Sequence, residues 1–139
     1  VIKKFGFLGI IIAIIALAVV AIIIANQFAS KQLNKGKMTN QQCQSQPQAN
    51  HTITIQNDKA SPGHISALQC DKLTIINKDE EVREIAFGPH DDHVPYDGIT
   101  ERVLGKDQSL TVTLVQVGNF RVHDHIHNEV QATFTVSPR

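Results

Sequence analysis

With 139 residues the chain has room for one ordinary domain, and its 13 Lys+Arg balance 13 Asp+Glu. The balance is uneven: residues 1–50 carry five lysines and no acid, while residues 51–139 carry 8 Lys+Arg against 13 Asp+Glu, a net of −5. A negatively charged domain repels phosphate backbones, which excludes nucleic acid as a natural partner.

After a short flank (1–4) comes FGFLGIIIAIIALAVVAIIIA, residues 5–25, with no charged side chain. As a helix rising about 1.5 Å per residue it would span roughly 31 Å, close to the hydrocarbon thickness of a bilayer. It is apolar all round, so the expectation is a single-pass transmembrane anchor rather than a core helix. Lysines flank both ends (Lys3 and Lys4; Lys31, Lys35 and Lys37), so the positive-inside count does not orient it. The basic residues before the apolar run resemble a signal anchor. That orientation places the protein at the cell membrane with its C-terminal part extracytoplasmic. Residues 26–50 are rich in Gln and Asn and read as a flexible polar linker too poor in apolar side chains to fold alone.

Residues 51–139 read as one all-β domain. HTITIQN (51–57), HISALQ (64–69), KLTIIN (72–77), VREIAF (82–87), QSLTVTLV (108–115), NFRVHD (119–124) and VQATFTV (130–136) are short alternating runs separated by turn signals. Seven such runs predict an antiparallel β-sandwich. Period-2 alternation places Phe120, Val122 and Asp124 on one face and Arg121 and His123 on the other. Residues 88–100 form the one long loop, and long loops in compact domains tend to be functional. Cys43 and Cys70 fit neither a zinc site nor a C-x-x-C motif. In an oxidising compartment they can pair and tie the linker to the domain; two free thiols are equally compatible with the sequence.

Five of the seven histidines lie in two segments, GPHDDH (88–93) and VHDHIH (122–127). Imidazole is the commonest ligand for copper, zinc and nickel, and ligands from two loops can converge on one ion. The candidate ligands are His90, His93, His123, His125 and His127, with Asp124 as a sixth. Asp91, Asp92 and Glu129 are placed to ligate or orient the rings. His51 and His64 stand apart and read as surface residues. No Ser-His-Asp order, activated Cys or carboxylate pair points to a hydrolase, and a multicopper oxidase would need more His-x-His pairs than one such domain supplies. A binding protein is therefore expected rather than an enzyme.

The C-terminal segment GNFRVHDHIHNEVQATFTV (118–136) resembles the closing pattern of small cupredoxins, Gly-x-(Tyr/Phe)-x-Phe-x-Cys-x-x-His-x-x-Met-x-Gly-x-x-x-Val. Gly118, Phe120, Val122, His127 and the Phe134/Val136 ending match, and LTIINKDEEVREIAF resembles the family's strand, Asn-Lys-Asp turn and strand. The resemblance covers about residues 51–137 and implies a Greek-key β-sandwich with its metal site at one end. The blue-copper ligands do not carry over. The thiolate position holds Asp124, the axial methionine position Val130, the following glycine Ala132, and the first histidine position falls on Arg83. The chain is also similar to cupredoxin-like proteins that pair a Pro-His-x-x-His loop with a late His-(Asp/Asn)-His segment, here Pro89-His90-Asp91-Asp92-His93 and His123-Asp124-His125. That similarity implies a histidine site suited to non-blue Cu(II) or to zinc rather than Cu(I). The alternative is a metal-free sandwich at the cell surface whose histidine loops form a recognition surface.

Overall fold

The computed structural model describes Ile12, residues 14–27 and residues 36–139. Residues 14–27 are helical (α1), and Ile14, Leu17 and Ile22 are each more than half exposed. Residues 5–11 and 13 of the anchor expected over 5–25 lie outside the described residues. Among the described residues no helix is long and apolar enough to cross a membrane.

Gly36–Arg139 form one compact unit. Strands β1 (Asn50–Ile55), β2 (Ala60–Ser61), β4 (Lys72–Asn77) and β7 (Ser109–Thr113) make one sheet in the order β2-β1-β4-β7. The second sheet, in the order β3-β9-β8-β5-β6, contains β3 (His64–Leu68), β5 (Arg83–Phe87), β6 (Glu101–Leu104), β8 (Gly118–Asp124) and β9 (Gln131–Ser137). The alternating residues meet between the sheets. Ile53 and Ile55, Leu73 and Ile75, Leu110 and Val112 face Ile85, Val122, Ala132, Phe134 and Val136, all buried in one core. Phe87, Tyr96, Phe120 and Phe134 close one part of it, with ring centroids 4.7 to 6.3 Å apart where they touch.

Three expectations change. The sandwich is not purely antiparallel, because β1–β4 and β3–β9 pair in parallel, each pair joining strands that are not consecutive in the chain. Two strands carry too little pattern to be read from sequence: β2 has two residues, and in β6 only Leu104 is buried. Of the linker expected over 26–50, residues 28–35 lie outside the described residues, and the part from Gly36 onward is ordered. Thr39 caps a short helix α2 (Asn40–Gln44) through a reciprocal pair with Gln42, and Cys43 is disulfide-bonded to Cys70. Met38 N–H donates to the Val115 carbonyl at 2.8 Å, and Gln69 Nε2 bridges the Gly36 and Val115 carbonyls at 2.9 and 2.8 Å. A polar segment needs little apolar area to stay ordered when a cross-link and backbone hydrogen bonds hold it. The 27-residue span between the cysteines corresponds to about 3 kcal/mol of loop restraint.

Candidate metal centre

Strand register decides which side chains of β8 meet. Ile85 pairs with Asp124 and Phe87 with Val122, so Val122 and Asp124 point toward the core. Ala86 pairs with His123 across one neighbour and with Glu101 across the other, making an outer row Glu101–Ala86–His123. Ala86 is the small member of that row, and the 88–93 segment folds over it.

Gly88 makes that fold possible. Its φ is +89°, and a Cβ there would lie 2.7 Å from the Val94 backbone nitrogen. The neck is closed by Val94 N–H donating to the Phe87 carbonyl at 3.0 Å and Gly88 N–H donating to the Arg121 carbonyl at 3.0 Å. Between these bonds the chain carries His90 and His93 back onto the sheet.

His90, His93, His123 and His125 converge there, each offering one ring nitrogen, all within 4.8 Å of one another. His90 stacks on His125 at 4.9 Å between centroids, and His93 meets His125 edge-on at 4.6 Å. His125 Nδ1 lies 3.0 Å from His93 Nε2. Zn–N bonds of about 2.0–2.1 Å put tetrahedral nitrogens roughly 3.3 Å apart, so the cluster is within a modest contraction of a ligand cage. Glu101 Oε1 lies 2.5 Å from His93 Nδ1 and holds the proton there, which turns the Nε2 lone pair toward the cluster, where it accepts from His125 Nδ1. Asp91, Asp92 and Glu129 are exposed, so the orienting acid is one that the sequence reading did not name.

The residues fit a metal on a second count. His123 is 1% exposed, yet neither of its ring nitrogens has a hydrogen-bond partner, and His90 Nδ1 is likewise buried and unpaired. Each such atom costs about 1–3 kcal/mol unless something bonds to it. Burial, then the positive charge of Arg121 and the neighbouring histidines, lowers the His123 pKa to about 4. It therefore stays neutral at ordinary pH, the form that ligates.

Asp124 and His127 belong to a different cluster. The buried Arg83 guanidinium bonds Asp79 at 2.7 Å, Asp124 at 3.2 Å, and Asp58. Asp124 Oδ1 also accepts from the Glu84 and Ile126 N–H groups, both at 3.1 Å. His127 Nδ1 sits 3.2 Å from Asp124 and 3.3 Å from Arg83; it can donate to the first or accept from the second, not both. Burial works against the Arg83 charge, but the hydrogen bonds to Asp58, Asp124 and Asp79 outweigh it and raise its pKa. The positions aligned with blue-copper ligands, Arg83, Asp124 and His127, thus do meet, but around a side-chain cation. The cause is alternation: Asp124 faces inward where its neighbours His123 and His125 do not. His51 is not a free surface residue either, since its Nε2 lies 3.0 Å from the buried Asp71; His64 is exposed beside Thr133.

No family model matches this chain, and no curated protein matches it in sequence. Solved structures do. A reduced amicyanin variant superposes with a TM-score of 0.55 at 15% identity, over 68% of this chain and 89% of that one. A Cu(I) form of another amicyanin variant gives 0.54 at 15%, over 68% and 89%. A purple cupredoxin from Nitrosopumilus maritimus gives 0.55 at 16%, over 62% and 98%. At this identity the likeness establishes the fold, which is that of a cupredoxin.

Proposed function

We propose that this chain is a membrane-anchored, extracytoplasmic copper-binding protein, with zinc as the second candidate, whose ion is held by His90, His93, His123 and His125. The observation that carries the proposal is the group of three buried, unpaired imidazole nitrogens within a four-histidine cluster. Four neutral nitrogen donors without sulfur favour Cu(II) or Zn(II). The Cu(I) amicyanin among the structural neighbours supports copper on this fold. An extracytoplasmic site agrees with the Cys43–Cys70 bond, since disulfides persist in oxidising compartments. The anchor itself rests on the sequence of residues 5–25.

A bound ion would supply Lewis acidity or, for copper, a one-electron couple. The chain's own part is to hold His123 neutral, orient His93 through Glu101 and cover the site with the 88–93 segment. Both cysteines are bonded to each other, so no thiolate is available and the Cu(II) form should be pale. The test is metal analysis and calorimetric titration of the purified full chain. One equivalent of Cu(II) or Zn(II), lost in the His90→Ala/His125→Ala double variant and kept in His51→Ala/His64→Ala, is expected. Uptake that is equal in the double variant and the parent would defeat the assignment. Extraction of the full chain into alkaline carbonate would separately defeat the anchor.

A further inference from the structure

Beside the histidine segment lies a half-open groove of about 670 Å³. Pro89 and Val94, the two ends of the segment that carries His90 and His93, line one side. The other side follows a cross-strand row on the outer face of the five-stranded sheet, Arg121–Thr133–His64. Phe120, half-buried, lines it as well, with its ring backed by Tyr96 at 4.7 Å and Phe134 at 5.2 Å. The volume falls within the range of sites for small organic molecules, and most of the lining is apolar.

Arg121 brings the permanent charge to this lining. A guanidinium has five N–H donors, and here one of them, on Nη2, bonds the neutral Asn128 Oδ1 at 2.8 Å. Its Nε is buried with no partner, and no carboxylate among the described residues forms an ion pair with it. Arg83 and Arg139, by contrast, are each paired with acids. A half-buried, uncompensated cation in an apolar groove is complementary to one negative charge carried by an apolar body. A phosphate, with about two charges, would call for more donors than one guanidinium presents.

We propose that the groove binds a small aromatic carboxylate, its flat body against Phe120, Pro89 and Val94 and its carboxylate on the Arg121 guanidinium. This assignment is independent of the metal, because Arg121 and Phe120 are not among the four ligands. Because Pro89 and Val94 bracket the histidine segment, an occupied groove also braces the cover of the metal site.

The test is calorimetry on the full chain in excess EDTA, with naphthoate and the neutral naphthylmethanol as probes. Naphthoate should fill one site and bind about tenfold or more tighter than naphthylmethanol, the preference expected of a charge-assisted bond. Arg121→Gln should abolish that preference and leave naphthylmethanol binding unchanged. Phe120→Ala should weaken both probes, with far-ultraviolet circular dichroism confirming that each variant is folded. Absence of saturable naphthoate binding overturns the proposal, as does an undiminished preference in Arg121→Gln. Binding that needs added metal and disappears in His123→Leu would also overturn it, since the carboxylate would then be a metal ligand.

Discussion

His123 and Asp124 are neighbours on β8, and both are buried, yet they sit in opposite electrostatic circumstances. Asp124 receives two backbone N–H groups and the Arg83 guanidinium, and Arg83 in turn meets Asp58 and Asp79. His123, one residue earlier and on the other face, has no partner on either nitrogen. The first cluster pairs its charges and leaves Arg83 Nε alone without a partner; the second leaves both His123 nitrogens and His90 Nδ1 unpaired. The comparison separates two roles that polar groups play in one small domain. A charge-paired buried network holds the fold, and the unpaired imidazoles on the same strand are the part suited to the proposed ion.

The largest expected effect breaks the charge-paired side. Arg83→Leu leaves the Asp124 carboxylate buried without its cation and should cost about 3–5 kcal/mol in urea unfolding. Arg83→Leu with Asp124→Leu should recover much of that loss. Next in size is the strap at the N-terminal edge. A chain starting at His51 lacks Cys43, α2 and the Met38 contacts, and should unfold about 3 kcal/mol more readily than one starting at Gly36. Treating the longer chain with a reductant should close most of the gap.

On the unsatisfied side the sign reverses. His123→Leu removes two unpaired nitrogens, so metal-free stability should stay level or rise by up to about 1–3 kcal/mol while metal binding is lost. The two clusters should also separate by pH. His123 has its folded pKa depressed to about 4 from the ordinary 6.5. Its neutral form therefore contributes stability that is present above 6.5 and lost as pH falls from 6.5 toward 4. For Asp79, burial raises the pKa, but the Asn57 N–H and then Arg83 outweigh it and hold the carboxyl below 3.8. That contribution persists to 3.8 and is lost only below it. Urea midpoints measured from pH 7.5 to 3 should show both steps in the parent and only the acid step in His123→Leu. The smallest effect sharpens the site itself. Glu101→Gln frees the His93 ring and should weaken metal binding about 10-fold, with unfolding in EDTA hardly changed.

The sandwich was legible because seven strands carry the period-2 pattern strongly, from Ile53 and Ile55 to Phe134 and Val136. The two histidine segments were legible for a similar reason, since five of seven histidines in so few residues stand out from background. What stayed hidden depended on register. The alternation of NFRVHD already turned Asp124 inward and His123 outward, but it did not say that the partner of Asp124 is Arg83; the pairing Ile85–Asp124 brings the two together. Glu101 was hidden because its strand is a short, exposed edge, and it reaches His93 only when Ala86 lies between it and His123. The strap was hidden because polar composition measures what a segment can bury, not what a disulfide can hold.

The placement of the four rings has a kinetic meaning as well. His123 lies on a strand hydrogen-bonded to neighbours on both sides, and His125 N–H donates to the Glu84 carbonyl at 2.7 Å. His90 and His93 ride on a segment whose neck is held by the Val94–Phe87 and Gly88–Arg121 bonds. For the proposed ion, His123 and His125 would form the fixed half of the site, and His90 and His93 the half that covers it. Such an ion could then exchange by movement of a flap six residues long, residues 88–93, whose neck is held by two backbone hydrogen bonds, with the two sheets left in place.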